Sequence, residues 1–194
     1  PYSKTEKVMA TLETFRERLL EQYRKVEIRP IDFSYAIRTA CFRLWLEPSP
    51  LKCFTLKQTG EGICICCPAD VDFSCEQVQK LVRAAILRAL KKSAGSYLPP
   101  LLEALAERYG FSYRKVKITG ARSRWGSCSA AGTISLSCYL MLLPPHLMDY
   151  VLLHELSHTK EMNHGPRFWE LLDSLTEGKA LSLRAELRNY RPAF

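Results

Sequence analysis

His154, Glu155 and His158 stand in the order H-E-x-x-H, and His164 follows after five residues. On a helix each residue turns about 100°, so positions i and i+4 lie only about 40° apart. Two imidazoles at that spacing can point at one small object, and Glu155 lies beside it. Zinc takes such convergent nitrogen ligands, and a water on the metal needs a base next to it. The spacing therefore predicts a metal-dependent hydrolase, with His154 and His158 as ligands and Glu155 as general base.

With 4 histidines among 194 residues, the motif is a rare accident, with chance odds of roughly six in a thousand. The competing reading is a surface helix with scattered polar residues. The run Leu147-Met148-Asp149-Tyr150-Val151-Leu152-Leu153 opposes it, because a helix that is apolar almost all round is buried. Ionisable groups on a buried helix are costly unless they are paired or bind metal. His164 is the favoured third ligand by type and spacing, with Glu161 and Glu170 as alternatives. Asn163 and Gly165 suit the bend that must turn His164 back toward the helix.

Other residues near the motif have two readings. Arg122, Arg124, Trp125 and Ser127 form an aperiodic stretch. It is either a turn with positive side chains or a loop that binds an anionic or carbonyl oxygen beside the metal. Cys128 is a possible nucleophile, but the histidines near it in sequence are better explained as ligands. His146 reads as a surface residue at the start of the motif helix.

The elements that must hold these groups follow from periodicity. Residues 3–25 read as a helix with Ser3 and Glu6 as a capping box and Val8, Leu12, Phe15, Leu19 and Tyr23 as an apolar stripe. Ser34 to Leu46 is β-prone, and Pro48 and Pro50 make a turn. Lys52 to Lys57 and Ile63 to Cys67 look like a hairpin joined through Gly60-Glu61-Gly62. Cys64, Cys66 and Cys67 read as buried strand cysteines, with a second metal or redox site as the alternative.

Ser74 and Gln77 then predict a capped helix with Val78, Leu81, Val82, Ala85, Ile86, Ala89 and Leu90 on its apolar face. A second helix is expected from Pro100 to Gly110, and a strand from Phe111 to Ile118. Ala130-Ala131-Gly132 is a turn, and Ile134 to Leu140 alternates like a half-buried strand that could present peptide to the metal by strand addition. Pro144-Pro145 starts the motif helix. Gly165-Pro166 starts another, with Phe168, Trp169, Leu172 and Leu175 apolar. Ala180 to Tyr190 reads as helical, and its stripe of Arg184, Arg188 and Arg191 reads as solvated surface, with contact to an anion as the alternative.

An apolar content of 47% suits a globular core, and the net charge of +8 favours anionic partners such as nucleic acid, nucleotides or acidic peptides. No stretch is long and apolar enough to span a membrane, and the first residues show no signal-peptide core. The expectation is a cytoplasmic protein with reduced thiols and no membrane partner.

The blocks Arg124-Trp125-Gly126-Ser127-Cys128, Ile134-Ser135-Leu136, His154-Glu155-Leu156-Ser157-His158 and Asn163-His164 with Phe168-Trp169 resemble the YgjP-like metallopeptidase family. The resemblance covers roughly residues 32–176. It implies an α+β, zincin-like metallopeptidase domain, a divalent metal usually taken as zinc, His154, His158 and His164 as ligands, and Glu155 as catalytic base. Ser137, Cys138 and Tyr139 depart from the asparagine and the aromatic or basic residue often found after the I-S-L strand. The expected organisation is a helical extension over 1–30, a metallopeptidase domain over 31–176 and a C-terminal helix over 177–194. Within that domain, 31–72 is β-rich and 73–176 is helical and catalytic.

The leading reading is a zinc-dependent hydrolase of peptides or proteins, with another divalent transition metal as an alternative occupant. Arg122 and Arg124 with the positive charge motivate two rivals. One is a metal-dependent nucleotide hydrolase, and the other is a nucleic-acid-associated zinc module.

Overall fold

A computed structural model describes residues 9, 13–16 and 30–190. The chain divides into two units, Pro1–Pro30 and Ile31–Phe194. In the first, Met9 and residues 13–16 are helical; the rest of the expected helix over 3–25 lies outside the described residues.

The second unit is α+β, as expected, with two small sheets and four helices among its described residues. The first sheet contains β1 (Ala36–Arg38), β2 (Arg43–Ser49), β3 (Thr55–Gln58) and β4 (Ile63–Pro68), in the order β1-β2-β4-β3. β2 and β4 run parallel, with Leu44 opposite Ile63 and Leu46 opposite Ile65, and all four side chains are buried. The Gly60-Glu61-Gly62 connection closes the β3–β4 hairpin as expected, with Gln58 opposite Ile63.

The turn expected at Pro48 and Pro50 is corrected: β2 continues through Pro48 and pairs with Cys67. Its other neighbour, β1, reaches only Trp45. Beyond that point β2 has an open side, and a proline at an edge breaks no ladder there.

α1 (Glu76–Tyr109) is a single helix that passes through Pro99 and Pro100, where two helices were expected. Each proline removes a backbone bond and costs about 3 kcal/mol in a helix interior. Ile86, Leu90, Leu98 and Leu102 are fully buried on both sides of the break. At about 1.5–3 kcal/mol each, they outweigh that loss. The buried row Val82, Ile86, Leu90, Ala94, Leu98, Leu102, Ala106 advances by four residues at each step. Such a row drifts about 40° per step around the helix. α1 thus turns different sides toward β4 of the first sheet and toward the second sheet. Ser74 does not cap it: its hydroxyl donates to Asp72 at 2.7 Å, and Cys75 occupies the cap position without a side-chain bond. Gly110 ends the helix in the left-handed region, at φ 65°, as a C′ glycine does.

The second sheet holds β5 (Lys115–Thr119), β6 (Gly126–Cys128) and β7 (Thr133–Ser137), in the order β5-β7-β6. β7 is shorter than the strand expected to reach Leu140. Ser137 accepts from the Tyr139 amide at 3.3 Å and donates to the Ala121 carbonyl at 2.6 Å, which bends the chain into a 3-10 turn over Cys138–Leu142. Then come α2 (Pro145–Ser157), α3 (Pro166–Leu175) and α4 (Ala180–Leu187), with α2 packed between β6 and the other helices. No described helix is long and apolar enough to cross a membrane.

Candidate metal centre

The motif lies at the end of α2. Leu147, Val151, Leu152 and Leu156 bury that helix, and the helical repeat puts Tyr150, His154 and His158 on one side. The chain then bends, with the Lys160 and Glu161 amides both donating to the Ser157 carbonyl. The Gly165 amide donates to the Asn163 carbonyl at 2.8 Å, and His164 returns to the helix. One ligating atom from each of His154, His158 and His164 lies within 4.8 Å of the others. His154 Nε2 and His164 Nε2 are 3.0 Å apart.

The floor is Phe168, fully buried at the start of α3. It stacks on His158 at 4.5 Å between centroids, and the other two rings stand within 4.9 Å of it. Trp169 donates from Nε1 to the His164 carbonyl at 3.1 Å and so fixes the returning loop. His158 Nδ1 meets the Glu161 carbonyl at 3.1 Å. That bond places its proton on Nδ1 and leaves Nε2 as the ligating nitrogen. Glu161 thus enters through its backbone, and neither its carboxylate nor that of Glu170 belongs to the cluster.

Burial, followed by the charges of His158, His164 and Arg184, pulls the His154 pKa down to about 3. The ring is neutral at pH 7, the form that ligates. Two facing ring nitrogens can share only one proton. Three imidazoles that converge with no carboxylate among them form a donor set suited to a divalent transition metal such as zinc.

Glu155 is 5% exposed, its Oε2 has no hydrogen-bond partner, and burial pushes its carboxyl up to about 7. It lies against β6. A Cβ at Gly126 would come within 2.6 Å of both Cγ and Oε1 of Glu155. Only glycine lets the strand pass this close to the carboxyl.

A cavity of about 260 Å³ opens beside His154, Glu155 and His164. Trp125, Tyr150, Val151 and Leu187 give it apolar walls, and Arg184 adds a cation. Tyr150 and Val151 were legible, because they precede His154 by four and three residues on the same helix. α4 brings in Arg184, from a stripe that read as solvated surface with anion contact as the alternative, and Leu187, which nothing local marked.

Of the residues flagged around the Trp-Gly-Ser turn, Trp125 joins this cavity. Arg124 and Ser127 line a second one of about 280 Å³, with Thr119, Ser135 and Ser137. Gly126 is shared by both cavities. The Arg122 guanidinium lies 6.0 Å from the Tyr139 ring centroid. Asn163 is exposed and contributes its carbonyl to the bend. His146 is exposed and bonds Glu186 at 2.9 Å, which ties the start of α2 to α4. Burial, and then the Glu155 charge, push the Cys128 thiol up, so it is a poor nucleophile.

Strand addition to β7 is corrected. β7 is paired on both sides, with β5 and with β6, and the open edge next to Glu155 belongs to β6. No strand signal is readable over Gly126–Cys128, because three residues are too few to display alternation.

The chain belongs to the YgjP-like metallopeptidase family: the profile of the YgjP-like metallopeptidase domain matches residues 2–190. It is therefore a metal-dependent peptidase by family. Two solved structures are similar in part. The metallopeptidase zymogen abylysin of Pyrococcus abyssi is 26% identical, over 49% of this chain and 97% of its own, with a TM-score of 0.42. The metallopeptidase zymogen jannalysin of Methanocaldococcus jannaschii is 20% identical, over 46% of this chain and 91% of its own, with a TM-score of 0.41. No curated protein matches the chain in sequence.

Proposed function

We propose that the protein is a zinc peptidase in which His154, His158 and His164 hold the ion and Glu155 is the general base. When bound, the ion supplies Lewis acidity, which acidifies a water and polarises a carbonyl. The protein's own residues do the rest. The Glu161 carbonyl sets the His158 tautomer, and Phe168 closes the floor against water. Glu155 holds a carboxyl oxygen without a partner, in surroundings that raise its proton affinity toward neutrality. Such a group can take a proton from water and return it to a leaving amine near pH 7.

The substrate class is peptide or protein. The open edge of β6 offers backbone donors and acceptors beside Glu155, and an extended peptide can pair with such an edge. The observation that carries the reading is the convergence of three imidazoles next to a buried carboxyl under that edge.

The test combines metal analysis with turnover. Wild type purified with zinc should hold one ion and cleave unstructured peptides. Glu155→Gln should keep the ion and lose roughly 10²–10⁴-fold in kcat. Equal turnover by the two proteins would remove Glu155 from the chemistry.

A further inference from the structure

We infer that Arg184 selects substrates carrying a carboxylate within about three residues of the bond that is cleaved. The inference rests on the peptidase reading of the neighbouring site. Arg184 stands on α4 and reaches the cavity that His154, Glu155 and His164 share. Its guanidinium lies 5.1 Å from the centroid of Trp169. Trp169 is itself fixed by its bond to the His164 carbonyl, and its ring stands 5.9 Å from the His164 ring. The cation is thus mounted one aromatic ring away from the metal cluster.

Stacking uses the face of a guanidinium and leaves its in-plane N–H donors for an acceptor. No carboxylate among the described residues forms an ion pair with Arg184. The nearby acids are engaged elsewhere: Glu186 with His146, and Asp173 with the Ala180 amide at 3.0 Å. A guanidinium that lines a cavity without an ion-pair partner is a fork that fits a carboxylate in bidentate fashion.

The steps from Arg184 to Trp169, 5.1 Å, and from Trp169 to His164, 5.9 Å, bound the separation, and an extended peptide advances about 3.3 Å per residue, so a group bound at Arg184 lies within about three residues of a carbonyl held at the imidazoles. Two sources supply the same chemistry there: an aspartate or glutamate side chain, and the free C-terminus of a peptide.

The experiment uses zinc-loaded protein and matched peptides that differ only in Asp/Glu against Asn/Gln at each position within about three residues of the cleaved bond. All of these carry an amidated C-terminus. A second pair compares a free with an amidated C-terminus. The same peptides, labelled, are titrated against Glu155→Gln protein to read Kd without turnover.

Wild type should prefer the carboxylate member of at least one pair by roughly tenfold in kcat/KM and in Kd, as a charge-assisted fork implies. Arg184→Gln should flatten that ratio, Arg184→Glu should invert it, and Arg184→Lys should keep part of it. The responding pair tells side chain from C-terminus. A ratio near one in wild type, or one that Arg184→Gln leaves in place, overturns the inference while cleavage itself stands. Arg184-dependent binding of carboxylate peptides with no cleavage by wild type would instead sink the peptidase reading and leave Arg184 as a carboxylate receptor.

Discussion

Two clusters of soft ligands stand in this protein, and only one converges. Cys64, Cys66 and Cys67 sit on β4, whereas His154, His158 and His164 span the end of α2 and the loop after it. A strand sends neighbours to opposite faces. Cys64 and Cys66 therefore share one face with Sγ atoms 3.9 Å apart, and Cys67 turns into the core with Ile63 and Ile65. Two thiols remain, with the Glu47 carboxylate beside Cys64, and among the described residues they do not close into a group of three ligands. A helix stacks positions four apart, and a bend can return a third side chain to the same point. The Cys64 and Cys67 thiols also lack thiolate character. Burial comes first among the causes that push Cys64 to about 12 and Cys67 to about 11. Burial drives the His154 and His164 imidazoles the other way, into the neutral form that ligates.

The same contrast appears in unsatisfied polar atoms. Among the described residues, the buried side-chain atoms without a partner are Tyr150 Oη, His154 Nδ1 and Glu155 Oε2, all on α2. An unpaired buried polar atom costs about 1–3 kcal/mol. The first sheet bears no such cost, and the motif helix concentrates it beside the cavity, where function requires groups held ready for other partners.

The strongest way to break the comparison is to remove ligands from each cluster. His158→Ala should lose stoichiometric zinc and all measurable hydrolysis, a larger effect than the roughly 10–100-fold that loss of an outer partner costs in metal affinity. Elemental analysis of the purified variant reads this directly, and full zinc occupancy would refute the cluster.

A subtler substitution tests how Glu155 is held. Gly126→Ala places a methyl group where the carboxyl now lies and should cut kcat/KM by roughly 10²-fold, the scale of a misplacement of about 1 Å. Circular dichroism should show the fold intact. Unchanged kinetics would mean that the carboxyl moves without consequence.

The smallest effect belongs to the thiols. The double change Cys64→Ala with Cys66→Ala should leave zinc content and turnover as they are and cost only about 1–2 kcal/mol in urea unfolding. Loss of zinc from that variant would show a second centre on β4.

Much of this was legible locally. The helix that begins at Pro145, the Asn163 to Gly165 bend and the Gly110 cap each follow from a short run of residues whose spacing or conformation has one good solution. Where the reading failed, a distant contact had overruled a local signal. Pro99-Pro100 looks like a break, but burial on both sides keeps α1 whole. Pro48 looks like a turn, but an open sheet edge tolerates it. The strand from Thr133 stops at Ser137 because that side chain is drawn to the Ala121 carbonyl.

The sequence alone determined that His154 and His158 share a helix face with Glu155 beside them, because helical spacing is a local property, and it left the third ligand among His164, Glu161 and Glu170. Only the tertiary structure decided what surrounds them. It put the free edge on β6, pressed Gly126 against Glu155, and laid Arg184 over Trp169 at the cavity. Those juxtapositions join residues from separate elements, and no periodicity within one segment encodes them.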